Sequence, residues 1–299
     1  MNEEAVVAAG WTRRTFLRDV ATLAAAAAVG GCEAPLAPRA VAVGGPAPRR
    51  IRYGDERDRF GDLYLPAGEG PHPVAAVLHG GFWLDRFALD LMDPVCRTLA
   101  ARGIAAWNLE YRRLGGGGGW PTTFLDVGAG VDHLKVMARE HRLDLQHVVT
   151  LGHSAGGHLA LWAAARHRIP RDSPLWTRWP RPVRGVVALA GMGDLRRATS
   201  LGLDGVERLL GGTPATVPER YAVASPAELL PFDVPQRLVH GSDDRVVPPA
   251  LSDAYVRLAR EKGDAAALTA LPGVGHFEPI DPASSAWTAV DADVRVALR

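Results

Sequence analysis

The sequence predicts an α/β fold with a mostly parallel central sheet, helices on both faces and a small helical insertion. Short unbroken apolar runs, such as residues 74–78 and 148–151, are typical of strands that are buried on both faces. These runs alternate with longer segments whose apolar residues recur at helical spacing, which is the order that produces a parallel sheet. A serine flanked by glycines, Ser154, lies where one such strand meets the next helix.

The first 50 residues are expected to lie outside this fold. Arg13 and Arg14 precede an apolar run at residues 20–29 that is too short to span a bilayer, and the pattern resembles a twin-arginine export signal. We therefore expect a signal peptide at residues 1–31. Residues 32–50 are rich in proline, alanine and glycine without any periodicity, so they are expected to be a tether.

The end of this signal resembles a bacterial lipobox. The box comprises residues 29–32, and in this interpretation Cys32 becomes the new amino terminus and carries a diacylglycerol. The alternative is a soluble exported protein that is cut nearby, after Ala42. We expect the lipidated form, located in the periplasm or at the cell surface. A diacyl anchor would hold the protein at a membrane even without a basic patch.

The composition limits the class of protein. The chain has 299 residues, of which 47% are hydrophobic and 22% are charged, and this suits one large or two small soluble domains. The folded domain is expected at residues 51–299. A net charge of +1 gives no reason to expect a nucleic acid partner. The oligomeric state is left open.

The elements of this domain are predicted from hydrophobic periodicity, and their boundaries from the positions of glycine and proline. Residues 191–232 interrupt the alternation of strands and helices, and they are expected to form a helical cap over the site. The other predicted elements are an antiparallel strand pair at 51–66, strands at 74–78, 104–109, 148–153, 183–189, 236–240 and 266–271, and helices at 89–102, 122–141, 155–167 and 248–262.

Ser154 has the surroundings of a nucleophile. A serine on a tight turn between strand and helix has a strained backbone and a hydroxyl that projects from the sheet. Gly152 and Gly156 are expected to be small because the strand and the helix nearly touch there. Ligands bind to open parallel sheets at the carboxyl ends of the strands, which is where Ser154 lies.

Three motifs together resemble the α/β-hydrolase superfamily, in its esterase or kynurenine formamidase (arylformamidase) branch. They are residues 79–83 (HGGFW), 108–113 (NLEYRR) and 152–159 (GHSAGGHL), and the resemblance extends from about residue 51 to the end. It implies a serine hydrolase whose acid and histidine follow the nucleophile along the chain.

The resemblance implies a Ser-His-Asp triad. Serine needs a base within hydrogen-bond reach, and that base needs a carboxylate to orient it. Of the ten histidines, His240 and His276 lie more than about 20 residues beyond Ser154. His276 follows the last strand, which is the position expected for the base. Two acids, Asp243 and Asp244, lie in the preceding loop, and similar hydrolases have the pattern Gly-x-x-Asp-x-x-Val-Pro, which selects Asp244.

The same resemblance implies an oxyanion hole made of backbone amides. Glycines after a strand let amides turn into a cavity, and the amide that follows the nucleophile contributes the other donor. The expected donors are Gly81, Phe82 and Ala155. The expected substrate pocket contains Trp83, Tyr111 and His153.

Other polar residues are interpreted as structural. Glu110 and Arg112 are expected to pair with each other. His79, His153 and His158 lack the spacing of metal ligands. Neither a metal nor another cofactor is expected.

We therefore expect an enzyme that cleaves small-molecule carboxylic esters through an acyl-enzyme intermediate. The alternatives are hydrolysis of an arylformamide and cleavage of a prolyl peptide. The least favoured is a surface binding module on an inactive hydrolase scaffold.

Overall fold

An eight-stranded sheet organises residues 47–299, which are the residues that the computed structural model describes. Its strand order is β1-β2-β4-β3-β5-β6-β7-β8. β1 pairs antiparallel with β2 and β2 with β4, whereas every other pair is parallel, as predicted. β1 therefore runs in the same direction as the parallel strands. The strands are β1 Arg49–Arg52, β2 Phe60–Tyr64, β3 His72–Leu78, β4 Ala105–Leu109, β5 Leu143–His153, β6 Gly185–Leu189, β7 Gln236–Gly241 and β8 Ala266–Leu271.

Helices cover both faces of this sheet, which confirms the predicted architecture. α1 and α9 pack on one face around Cys96 and Trp287, while α2, α4 and α8 pack on the other around Phe124, Trp162 and Tyr255. The helices are α1 Asp93–Ala101, α2 Thr122–Asp132, α3 Leu134–Met137, α4 Ala155–Ala165, α5 Leu195–Ser200, α6 Gly205–Leu210, α7 Pro218–Ala224, α8 Ala250–Glu261 and α9 Trp287–Ala297.

Two predicted helices have different boundaries in the structure. The helix expected at residues 89–102 is a 3-10 turn, Leu89–Met92, followed by α1, which carries a proline in its first turn. The helix expected at residues 122–141 is divided into α2 and α3. At that division the indole nitrogen of Trp107 donates to the carbonyl of Gly130 at 2.9 Å. In a continuous helix this carbonyl would accept from residue 134.

Residues 191–232, the segment expected to form the cap, contain short helices. α5, α6 and α7 lie within it, followed by the 3-10 turn Pro226–Leu229. An added Cβ at Gly205 in α6 would lie 3.5 Å from the Phe82 ring and 3.7 Å from the Trp83 ring. The cap therefore packs directly on the loop that follows β3.

The amino-terminal expectations meet the structure only at the domain boundary. β1 begins at Arg49, two residues earlier than the expected start of the domain, and Arg50 forms a 2.8 Å ion pair with Asp62 of β2. The signal peptide, the lipobox and Cys32 lie outside the described residues. Between residues 47 and 299 no helix has the length and the apolar character needed to cross a bilayer.

Candidate active site

Ser154 occupies a strained turn between β5 and α4. Its φ is 55° and its ψ is −119°, a conformation that residues other than glycine rarely adopt. An added Cβ at Gly152 would overlap the carbonyl of Gly156, and one at Gly156 would overlap the carbonyl of Leu78. Strand and helix thus approach as closely as the sequence predicted. The Ser154 amide donates to Leu189 of β6 at 2.8 Å, which fixes the turn to the sheet.

His276 and Asp244 meet beyond the carboxyl ends of β8 and β7. His276 Nδ1 lies 2.7 Å from Asp244 Oδ2, and both side chains are buried. The other acid of this loop, Asp243, is exposed and accepts a hydrogen bond from Ser242 at 2.7 Å. Of the two acids, it is Asp244 that contacts His276.

Asp244 is held in its ionised form by hydrogen bonds. Its Oδ1 accepts from the amides of Val246 and Val247 at 2.8 and 2.9 Å, and His240 Nε2 lies 3.0 Å from its Oδ2. Burial acts to raise the pKa of Asp244, but the hydrogen bonds from His240 and His276 prevail and lower this pKa well below its ordinary value. At neutral pH the carboxylate can therefore orient an imidazole and stabilise its charged form.

His153 connects the turn at Ser154 to the loop that carries His276. Its Nε2 lies 2.8 Å from the backbone oxygen of His276, and the two rings are 4.6 Å apart. Burial, reinforced by the nearby His276, lowers the pKa of His153 to about 3, so its ring is neutral and Nε2–H is the donor. The structure thus brings Ser154 and His276 to the same edge of the sheet.

The loop after β3 passes against Ser154. An added Cβ at Gly80 would lie 3.1 Å from the Cβ of Ser154. The next three residues have positive φ values of 106° at Gly81, 54° at Phe82 and 56° at Trp83. Ala155 lies at the start of α4, where backbone amides lack partners within the helix. The loop that carries Gly81 and Phe82 and the start of α4 at Ala155 therefore both adjoin Ser154.

A cluster of buried charged residues supports the loop that follows β3. Glu110 Oε1 lies 2.9 Å from His79 Nε2, and the same carboxylate pairs with Arg113, which also contacts Asp58 at 3.0 Å. The expected pairing of Glu110 with Arg112 is wrong. Arg112 instead forms an ion pair with Asp126 of α2, with Nε 2.7 Å from Oδ2.

The residues expected to line the substrate pocket are almost completely buried by other parts of the protein. Trp83, Tyr111 and His153 each expose no more than 2% of their surface. The Tyr111 hydroxyl donates to the carbonyl of His79 at 2.7 Å, and its ring stacks on the His79 ring. Tyr111 thus supports the loop, and Trp83 packs edge-on against His158.

Two further buried histidines are neutral. Burial is the main cause that lowers the pKa of His79 to about 3 and that of His158 to about 4. His158 Nε2 donates to the carbonyl of Ala224 at 2.9 Å, which connects α4 to the end of α7.

Two residues of this site were not predicted in the positions they occupy, His240 and Ser252. The sequence offered His240 only as an alternative base, whereas in the structure it contacts Asp244 directly. Ser252 of α8 contacts His240 at 2.7 Å. The available signal was the position of His240 at the end of β7, where side chains of a parallel sheet converge.

The fold, together with a strained serine at the end of β5, defines an α/β-hydrolase. Within this class, residues 61–257 match the family model described as BD-FAE, so the chain belongs to the BD-FAE family. This match includes the turn at Ser154 and the acid loop. His276 lies beyond it.

Curated relatives with similar sequences include two proteins of Mycobacterium tuberculosis. Esterase LipC is 29% identical over 254 residues, which are 81% of this chain and 62% of the relative. The probable carboxylic ester hydrolase LipM is 28% identical over 229 residues, covering 74% of this chain and 53% of the relative. The chain thus spans little more than half the length of these relatives.

Solved structures share the fold at lower identity. A truncated carbohydrate esterase from gut microbiota superposes with a TM-score of 0.73 at 19% identity, covering 83% of this chain and 94% of the other. Esterase 2 of Thermogutta terrifontis superposes with a TM-score of 0.67 at 20% identity, covering 84% and 91%. At these identities the comparison establishes the architecture.

Proposed function

We propose that the protein is a serine hydrolase that cleaves carboxylic esters of small molecules. The observation that carries the proposal is the contact of His276 with the ionised Asp244 at the edge of the sheet where Ser154 lies on its strained turn. The esterase names of the relatives favour an ester over an arylformamide or a prolyl peptide.

In the proposed mechanism Ser154 Oγ attacks the ester carbonyl carbon while His276 Nε2 accepts its proton. Asp244 stabilises the imidazolium, which then gives the proton to the departing alcohol. Water, activated by the same imidazole, attacks the acyl-serine and releases the acid.

The amides of Gly81, Phe82 and Ala155 are proposed to hold the oxyanion of each tetrahedral intermediate. A donor of this kind typically contributes about 3–4 kcal/mol of transition-state stabilisation. Because backbone donors belong to no side chain, their placement depends on the loop after β3 and on its buried support.

Hydrolysis of short p-nitrophenyl esters, N-formylkynurenine and a prolyl peptide tests the proposal. We expect the esters to be cleaved fastest and Ser154→Ala to abolish both turnover and labelling by a fluorophosphonate probe. The matched control is Ser200→Ala, which alters an exposed serine of α5 and should preserve both. Labelling that persists in Ser154→Ala, or a wild type that is neither labelled nor active, would refute the triad. Faster cleavage of either other substrate would establish that alternative.

We also propose that the enzyme is exported and anchored through a lipid on Cys32. The proposal rests on the twin-arginine and lipobox patterns of residues 1–32. In a bacterial expression host, the wild-type chain should partition into detergent phase and Cys32→Ala into the aqueous phase. Equal partitioning of the two would contradict the anchor.

A further inference from the structure

A second histidine, His240 at the end of β7, contacts the acid of the proposed triad. His240 Nε2 lies 3.0 Å from Asp244 Oδ2, the same oxygen that accepts from His276 Nδ1 at 2.7 Å. It also lies 3.0 Å from the carbonyl oxygen of Val247. Both neighbours are acceptors only, so Nε2 carries a hydrogen and donates to them.

The other nitrogen of this ring is held by Ser252. His240 Nδ1 lies 2.7 Å from Ser252 Oγ in the first turn of α8. With the hydrogen on Nε2, Nδ1 can accept a hydrogen bond from the serine hydroxyl. Ser252 thus selects the tautomer that His240 needs to reach Asp244. His240 and Ser252 expose 2% and 1% of their surfaces, so the protein itself fixes this arrangement.

We propose that Ser252 and His240 form a positioning relay that orients Asp244 toward His276 and thereby sets the activity of the proposed triad. The relay rests on the proposed function. It connects helix α8, through Ser252, His240 and Asp244 in turn, to the imidazole that acts on Ser154. Neither relay residue acts on substrate; each acts through Asp244.

The relay restrains the one oxygen of Asp244 that serves the base. Two amides hold Oδ1, whereas Oδ2 is held by the two histidines alone. Without the His240 donor the carboxyl group is less restrained in rotation, so its alignment with His276 is poorer. The carboxylate also becomes more basic because it loses a donor that stabilises its charge.

A more basic carboxylate holds the protonated imidazole more tightly. Loss of the relay should therefore move the acid limb of the profile of kcat/KM against pH to higher pH. The titratable groups that meet here are Asp244, His240 and His276, with His153 packed against His276 from the end of β5.

The test compares full-length variants in hydrolysis of a short p-nitrophenyl ester. Ser252→Ala should lower kcat by about tenfold, the loss expected for a hydrogen-bond network on a charged group, and should leave KM within about twofold. His240→Met should lower kcat further. His240→Gln, whose amide nitrogen can donate to Asp244, should recover part of the loss. The acid limb should move upward in Ser252→Ala and in His240→Met.

The matched control is Thr98→Val, which removes a different buried hydroxyl. Thr98 donates to the carbonyl of Pro94 at 2.8 Å within α1 and does not contact the site. If Ser252→Ala and His240→Met match this control in kcat and in the acid limb, the relay is refuted. If His240→Met does not fold, Ser252→Ala decides.

Proton NMR of protein with ¹⁵N-labelled histidine separates the relay from the proposed function. The proton shared by His276 Nδ1 and Asp244 should give a strongly downfield resonance in the wild type, and this resonance should move in Ser252→Ala. A resonance that moves in an inactive wild type supports the relay and refutes the esterase. An active wild type with an unmoved resonance and an unmoved acid limb refutes the relay.

Discussion

Mild acid should destabilise this protein because three of its histidines are buried in the neutral form. The pKa values of His79, His153 and His158 are lowered to about 3, 3 and 4, mainly by burial. An unfolded histidine has an ordinary pKa of about 6.5. Between about pH 6.5 and pH 4 the unfolded chain therefore binds more protons than the folded chain, and the free energy of unfolding falls as the pH falls.

The magnitude follows from the width of this interval. Between about pH 7.5 and pH 5.5 each histidine should cost about 1.4 kcal/mol, which gives about 4 kcal/mol for the three together. This is a large share of the 5–15 kcal/mol that is typical of a folded domain. Urea unfolding at the two pH values, followed by tryptophan fluorescence, measures the difference.

A variant assigns the loss to a particular group. His158→Gln keeps an N–H for the carbonyl of Ala224 but cannot take up a proton, so the pH dependence should fall by about one third. His167→Gln, which alters an exposed histidine, should leave the pH dependence unchanged. Free energies of unfolding that agree within about 1 kcal/mol at the two pH values would refute the reasoning.

The remaining predictions concern the turn at Ser154, the buried cluster around Glu110 and the contact of His153 with His276. Gly152→Ala should destabilise the protein by about 3 kcal/mol in urea unfolding, because the added methyl overlaps a backbone carbonyl of α4. An unchanged midpoint would show that strand and helix can separate there. Glu110→Gln should cost about 3 kcal/mol, since it leaves the Arg113 charge less compensated in the interior, and thermal unfolding measures this loss. A melting temperature equal to that of the wild type would contradict it. His153→Leu should lower kcat on esters by about tenfold with KM little changed, because the His276 carbonyl loses its donor. Steady-state kinetics check this, and a proportionate rise in KM would point instead to substrate binding.

The fold was largely predictable because it depends on local patterns. Unbroken apolar runs marked the buried strands, and glycines at positions 152 and 156 marked the tight turn around Ser154. The order of the strands along the chain then placed the acid loop and the His276 loop at one edge of the sheet, where they meet. These features follow from periodicity and from the common direction of parallel strands.

The interactions that support the site were not predictable in the same way. Ser252 reaches His240 because α8 packs against the end of β7, and no spacing along the chain encodes that approach. The partner of Glu110 likewise depends on which neighbouring element supplies a charge. Tyr111 was expected in the pocket because its motif resembles that of hydrolases, but burial of its hydroxyl against the chain of His79 makes it a support.

The direction of β1 has a practical consequence for the use of this protein. Because β1 runs with the parallel strands, Arg49 at its start lies at the end of the sheet opposite Ser154. A cargo fused ahead of Arg49 through a flexible spacer, or a bead that captures that end, is thus directed away from the serine. Immobilisation through the amino-terminal end should therefore not cover the end of the sheet that carries Ser154.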